Sequence, residues 1–356
     1  MATPSLRQQT SFEGIIDPSA HDRFEQIMTH FDAPNTSPSS PRPEYSHVKL
    51  IRCTYNYALT LEAKGNLLRA FFKAVHLPLD QPIDMMDPAF EARLRQDIYD
   101  YADFLFNNFF LPMRASGPTP QSSNCSCQSQ TEDTDRRDPT LRELCLERDK
   151  NRCIISGAFN LDEAERRYKE HPNSPCDDDG RPLTSCREFH FLEAAHVLPH
   201  SLVQEGKPDP LKKTALDILK MLGTIECTEL DRPRNVITLT YSMHRFFSNF
   251  DVFLQPGQSP YEYRIGSYLH PVIRRNFSIP STKTIYQHGG IEAPSSRLLE
   301  IHAAIAHILE HSGAGRYIDK ILRDLDEVGI RADGSTELGR LVEARLQGWP
   351  LGVRNG

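Results

Sequence analysis

Long apolar runs are missing from this chain. The richest, FLFNNFFLP at 104–112, falls far short of the roughly 20 residues a helix needs to cross a bilayer, and it carries two asparagines. No membrane span is therefore predicted. The opening residues, MATPSLRQQTSFEG, lack the apolar segment of a secretory signal, so the chain is expected to be intracellular. Positive charge is scarce as well: 41 Lys and Arg face 48 Asp and Glu, for a net charge of -7. That excludes a basic nucleic-acid binder at the level of the whole chain. Any polyanion would have to meet a local positive surface, or a metal ion would have to supply the charge. There is no helix-turn-helix signature, no paired Cys and His spacing of a C2H2 finger, and no basic tract that would separate nucleus from cytoplasm. The eight cysteines are scattered rather than clustered and, without a signal segment, read as reduced thiols.

What is present suffices for a core. The chain has 356 residues, 38% of them hydrophobic, which suggests two or three domains. Residues 1–45 are rich in Pro, Ser, Thr and charge, and their composition predicts a disordered tail. Residues 46–113 read as a helical domain. Its clearest helix is 88–111, where Phe90, Leu94, Ile98, Tyr101, Leu105, Phe106 and Phe109 mark one apolar face. Residues 114–140 are a linker by composition. A mixed unit follows over 141–290. It opens with a short helix, LRELCLERD, and carries strand-like pieces at 191–198 and 235–240, a helix near 210–222, and alternating stretches FDVFLQ and YEYRI. Residues 291–356 are helical again, with stripes Leu298, Ile301, Ile305, Ile308 and Ile318, Ile321, Leu322, Leu325, Val328. The predicted class is α+β.

Within the mixed unit one constellation stands out. FLEAAHVLPHS is an apolar strand that carries Glu193 and His196 and is closed by Pro199. Alone, such an imidazole reads as a core histidine. Asn235, however, opens a second apolar strand, NVITL, and His244 follows nine residues later on the amphipathic SMHRFFSNF. Arg232, Arg234 and Arg245 sit beside these residues, each readable as a phosphate contact or as an ordinary solvated charge.

Strand, loop, strand and helix bearing His, Asn and His resemble the HNH nucleases and their ββα-metal fold. The closest likeness is to the subgroup without zinc knuckles, whose first strand reads like Leu192-Glu193-Ala194-Ala195-His196. The arrangement is also similar to HNH-domain proteins of filamentous fungi in which a helical N-terminal unit ends in something like the NNFFLP of 107–112. The resemblance implies an ββα-metal core with extra strands, flanked by helical segments, acting as an endonuclease on DNA. It implies His196 as general base, Asn235 as the structural Asn that orients the site, and His244 as a ligand of a divalent metal, magnesium first and manganese second. The residue types suit that chemistry. A neutral imidazole takes a proton near neutral pH, and a divalent cation holds the scissile phosphate.

The chain departs from the family pattern in three places. Where other members carry Cys-x-x-Cys knuckles, it reads Cys153-Ile-Ile-Ser156 and Thr240-Tyr-Ser-Met243, so no structural zinc is expected. The residue before the base is Ala195, which has no ligand atom. Glu193, two residues earlier on the same strand face, is the candidate substitute, and a surface ion pair is its other reading. One helical turn after His244 stands Ser248, where the subgroup often has a carboxylate. The second reading of the chain follows from these gaps: a catalytically inactive HNH-fold interaction module, with the helical segments contacting protein partners.

Overall fold

The computed structural model describes residues 18–32, 45–79, 85–115, 140–199, 202, 210–285 and 288–326. The helices are α1 (Pro18–Phe31), α2 (His47–Asn56), α3 (Leu61–Ala74), α4 (Pro88–Leu105), α5 (Leu111–Ala115), α6 (Leu141–Arg148), α7 (Leu161–Glu170), α8 (Pro210–Leu222), α9 (Tyr241–Ser248), α10 (Pro271–Asn276), α11 (Ser296–Ser312) and α12 (Ala314–Asp326). The strands are β1 (Phe159–Asn160), β2 (Phe189–His190), β3 (Leu192–His196), β4 (Val236–Thr240), β5 (Val252–Pro256), β6 (Glu262–Ser267) and β7 (Thr282–Thr284). They form three small sheets: β1 with β2, β3 antiparallel to β4, and the antiparallel β5-β6-β7. The class is α+β. None of the described helices is long and apolar enough to cross a membrane.

α11 organises the whole. Leu298, Leu299, Ile301, Ala303, Ala304, Ile305, Ala306, Ile308 and Leu309 are all buried, so the helix is apolar nearly all round rather than on one stripe. Such a helix belongs inside a core. It packs against α2 and α12 from the helical segments and against β5 of the mixed unit. One hydrophobic cluster therefore runs from Phe24 through Ile237 to Ile321, across all three expected folded units.

Two expectations are corrected. Residues 18–31 were expected in the disordered tail but form α1, because Phe24, Ile27, Met28 and Phe31 recur at helical spacing and are buried. Both ends of the linker expected over 114–140 belong to helices. Arg114 and Ala115 end α5 and are buried, Thr140 caps α6, and 116–139 lie outside the described residues. Residues 1–17, 33–44 and 327–356, with Val328 and the rest of the expected C-terminal helical segment, also lie outside them.

The helix expected over 88–111 is broken into α4, a π-helical turn at Phe106–Phe110, and α5. Pro112 has no N–H to donate and its ring crowds the preceding turn. A widened turn accommodates it, with the Leu111 N–H reaching the Phe106 carbonyl, and Phe106, Phe109 and Phe110 are all buried there.

Two devices position the β3/β4 pair. A capping box starts α6: Thr140 Oγ1 accepts the Glu143 N–H at 3.3 Å and Glu143 Oε2 accepts the Thr140 N–H at 2.7 Å. At the other end of α6, the fully buried Arg148 donates to Pro233 O at 2.7 Å, Val236 O at 2.8 Å and Glu292 O at 3.3 Å. Its charge is balanced by Asp149 through two 2.8 Å hydrogen bonds, and Asp149 Oδ2 accepts the Thr238 N–H at 3.1 Å. Arg148 and Asp149 thus fix the start of β4 from outside the sheet.

Candidate active site

β3 and β4 pair antiparallel with Glu193 opposite Leu239, Ala195 opposite Ile237 and His196 opposite Val236. Every residue of β4 is buried. Thr240 then caps α9, its side chain accepting the Met243 N–H at 3.3 Å, and α9 folds back over both strands. Met243 and Phe247 bury the inner face of α9, which leaves His244 at its flank. His196 is half-buried at the end of β3, and Asn235 is fully buried just before β4.

Asn235 spends its whole amide on the backbone. Its Oδ1 accepts the Leu198 N–H at 3.0 Å, and its Nδ2 donates to Leu198 O and Leu230 O, both at 2.8 Å. Its own carbonyl accepts the Val197 N–H at 2.7 Å. Asn235 therefore clamps the two residues that follow His196.

His244 Nδ1 lies 2.7 Å from Glu193 Oε2, with the two side chains 15% and 25% exposed. A carboxylate accepts, so Nδ1–H donates to Glu193 and Nε2 is left on the far side of the ring. Glu193 is one pleat repeat, about 6.6 Å, short of the position held by Ala195. Ala195 is fully buried and offers no donor. Ser248 is one turn beyond His244 and half-buried. Among the described residues, no group of three or more His, Cys, Asp or Glu is placed to hold a metal ion. Cys153 is buried and its Sγ accepts the Ser156 N–H at 3.3 Å.

The three arginines differ. Arg232, well exposed, lies 4.0 Å from Glu292, and Arg234 lies 3.0 Å from Glu229, beside an open cleft of about 530 Å³ that Tyr261, Tyr263 and Arg297 also line. Arg245 projects from α9 into solvent, and no ion pair among the described residues uses it. His190 is exposed, 3.7 Å from Glu188, and His200 lies outside the described residues.

Asp251, three residues past Ser248, is directed away from His244. Phe250 takes a left-handed backbone (φ 61°) and starts a turn toward the helical segments. There Arg114 donates to Asp251 at 3.4 Å, to Asp319 at 2.8 Å and to the Asn249 carbonyl. Burial pushes the Asp251 carboxyl up to about 6 despite the Arg114 charge.

The sequence reading missed what supports α9 from behind. His302 on α11 stacks on Phe247, ring centroids 3.9 Å apart and planes 4° from parallel. Its Nε2–H donates to the Phe247 carbonyl at 3.0 Å, and its Nδ1 has no hydrogen-bond partner among the described residues. Burial drives its pKa down to about 3, so the ring is neutral. The sequence signal was a histidine set between Ile301 and Ala303-Ala304-Ile305 in the most apolar part of α11.

Residues 153–255 match a family model for HNH endonucleases. No curated protein and no solved structure matches the chain. The HNH segment contains every predicted site residue: His196, Asn235, His244, Glu193, Ser248, Arg232, Arg234 and Arg245. It covers less than a third of the chain, and α6, α10 and α11 lie outside it.

Proposed function

We propose that the protein is a metal-dependent endonuclease of the HNH type that hydrolyses phosphodiester bonds in DNA, with β3, β4 and α9 as a ββα-metal core. The observation that carries this reading is the Glu193–His244 contact, made between a strand bearing His196 and the helix folded over it, inside a segment that matches HNH endonucleases.

His196 acts as the general base, its imidazole accepting a proton from the attacking water. Asn235 holds the backbone beyond it, so the ring does not drift. Glu193 fixes the tautomer of His244 and aims Nε2 outward, the arrangement by which a carboxylate tunes a metal-binding histidine. The donor set fits a hard divalent ion in a sparse way: His244 Nε2, with the Ser248 hydroxyl one turn on. Magnesium or manganese suits it, because such ions retain several waters and bind partly through substrate phosphate. When bound, the ion supplies positive charge to the phosphate and the leaving oxygen. Arg245, exposed on the same helix, adds a phosphate contact.

The test is nicking of supercoiled plasmid with Mg²⁺ or Mn²⁺ by the wild-type chain and by His196→Ala. Cleavage in the wild type, absent in EDTA and abolished in the variant, is the expected result. Equal activity in both would remove His196 as base. A second reading, a nuclease fold kept for interaction, is favoured by one observation: Ala195 stands where a ligand is needed and no three-ligand group is present among the described residues. Absence of cleavage with either ion, in a folded wild-type protein, would support it.

A further inference from the structure

The chain is acidic overall, yet residues 263–291 contain no Asp or Glu and carry Arg264, Arg274, Arg275 and Lys283. This stretch makes up most of the β6-α10-β7 excursion, whose one acidic residue is Glu262 at the start of β6, and α10 lies beyond the matched HNH segment. Its surface is unlike the rest. Arg264 on β6 and Arg275 on α10 are exposed, and no ion pair among the described residues uses either. Beside Arg275 stand two exposed aliphatics, Val272 (55%) and Ile273 (40%). Arg274 serves otherwise: its guanidinium donates to Ile265 O at 3.1 Å and Pro280 O at 3.2 Å. That latch fastens α10 against the sheet next to Arg264.

The excursion adjoins the candidate site. Phe277, just after α10, meets Phe246 of α9 edge-on at 5.0 Å. At 100° per residue, Arg245 falls between His244 and Phe246 on the helix circumference. The helix that carries His244 and Arg245 therefore touches the end of α10 through Phe246 and Phe277. Exposed arginines without an ion pair among the described residues, with exposed aliphatic side chains on the same short helix as Arg275, complement a polyanion with apolar sugar faces.

We infer that the β6-α10-β7 excursion is the surface on which this protein seats duplex DNA, with Arg264 and Arg275 contacting backbone phosphates and Val272 and Ile273 packing on the sugars. The inference rests on the endonuclease reading for the identity of the polyanion and adds where that polyanion lies. It also resolves the charge problem of an acidic chain, since the positive surface is local and next to α9.

The experiment is fluorescence anisotropy of the full-length chain with a labelled mixed-sequence duplex in EDTA, titrated with salt. The double variant Arg264→Ala/Arg275→Ala is expected to bind about tenfold more weakly, with the slope of log affinity against log salt reduced by about two. Arg264→Lys/Arg275→Lys should restore both. Arg69→Ala/Arg93→Ala, which removes equal charge from exposed positions on α3 and α4, should change neither. The inference is overturned if the wild type does not bind the duplex, if the Ala pair binds with wild-type affinity and slope, or if the α3/α4 pair weakens binding equally. Because binding is read without metal, its outcome is separate from that of the plasmid assay. Binding that depends on Arg264 and Arg275 in a protein that never cleaves would end the endonuclease reading alone.

Discussion

The Glu193 carboxylate reaches across from β3 to the Nδ1 of His244 on α9 at 2.7 Å, so the candidate ligand on the strand is hydrogen-bonded to the candidate ligand on the helix. Its distance from the Ala195 position explains why. A side chain one pleat back meets the first turn of the overlying helix rather than the open end of the strand.

The first prediction tests that role. Glu193→Gln keeps the shape but loses the carboxylate acceptor's charge. The half-saturating Mn²⁺ concentration for plasmid nicking should rise roughly 10- to 100-fold, with most of the maximal rate regained at high metal. A lost rate that no metal concentration restores would make Glu193 part of the chemistry itself.

Ser248 lies one turn from His244, the spacing at which two side chains share a helix face. Ser248→Asp should therefore add a hard oxygen ligand and lower the half-saturating metal concentration by about tenfold. Manganese binding followed by calorimetry checks it without reliance on cleavage.

Asn235→Ala would strand the Leu198 N–H, the Leu198 carbonyl and the Leu230 carbonyl, all bonded to the Asn235 amide. Buried backbone groups left unpaired make this a loss of about 3 kcal/mol in denaturant unfolding. A near-neutral effect would mean that water replaces the amide.

Arg148→Met should be worse, by about 3–5 kcal/mol, because it leaves Asp149 charged and buried and frees three carbonyls. The double variant Arg148→Met/Asp149→Asn should recover part of that loss, which urea midpoints will show.

His302 makes a pH prediction. In the unfolded chain a histidine titrates near 6.5, while in the native protein burial holds His302 down to about 3. Below about pH 6.5 the unfolded state binds a proton that the native state refuses, so acidification toward pH 3 removes stability. Asp251, pushed up to about 6, acts in the opposite sense between about pH 6 and 4, the native state taking up the proton first. The two are separated by His302→Gln. Its amide still donates to the Phe247 carbonyl and does not titrate, so its stability should decline less steeply than wild type from pH 6.5 to 4.

What was legible in the sequence follows from range. β3, β4, α8 and α9 each carry their periodicity within about a dozen residues, so FLEAAHVLPHS, NVITL and SMHRFFSNF are legible from local pattern alone. The Glu193–His244 contact was not legible, because the register of β3 on β4 spans a connection of about 40 residues that no local pattern fixes. α1 was hidden for another reason. Averaged composition over 1–45 is polar, and only the spacing of Phe24, Ile27, Met28 and Phe31 shows a buried face. Arg148 and His302 were missed because a charged residue at a helix end and a histidine in an apolar helix ordinarily read as solvated or incidental.

The central position of α11 bears on whether the segment that matches HNH endonucleases can be handled as a cassette. A fragment trimmed to 153–255 would keep every candidate catalytic side chain and lose the helix that backs Phe247, the arginine that staples β4, and the basic excursion beyond β5. The candidate site residues sit in one segment of the chain while their support comes from the others. Transplanting the motif alone would therefore carry the reagents without the vessel.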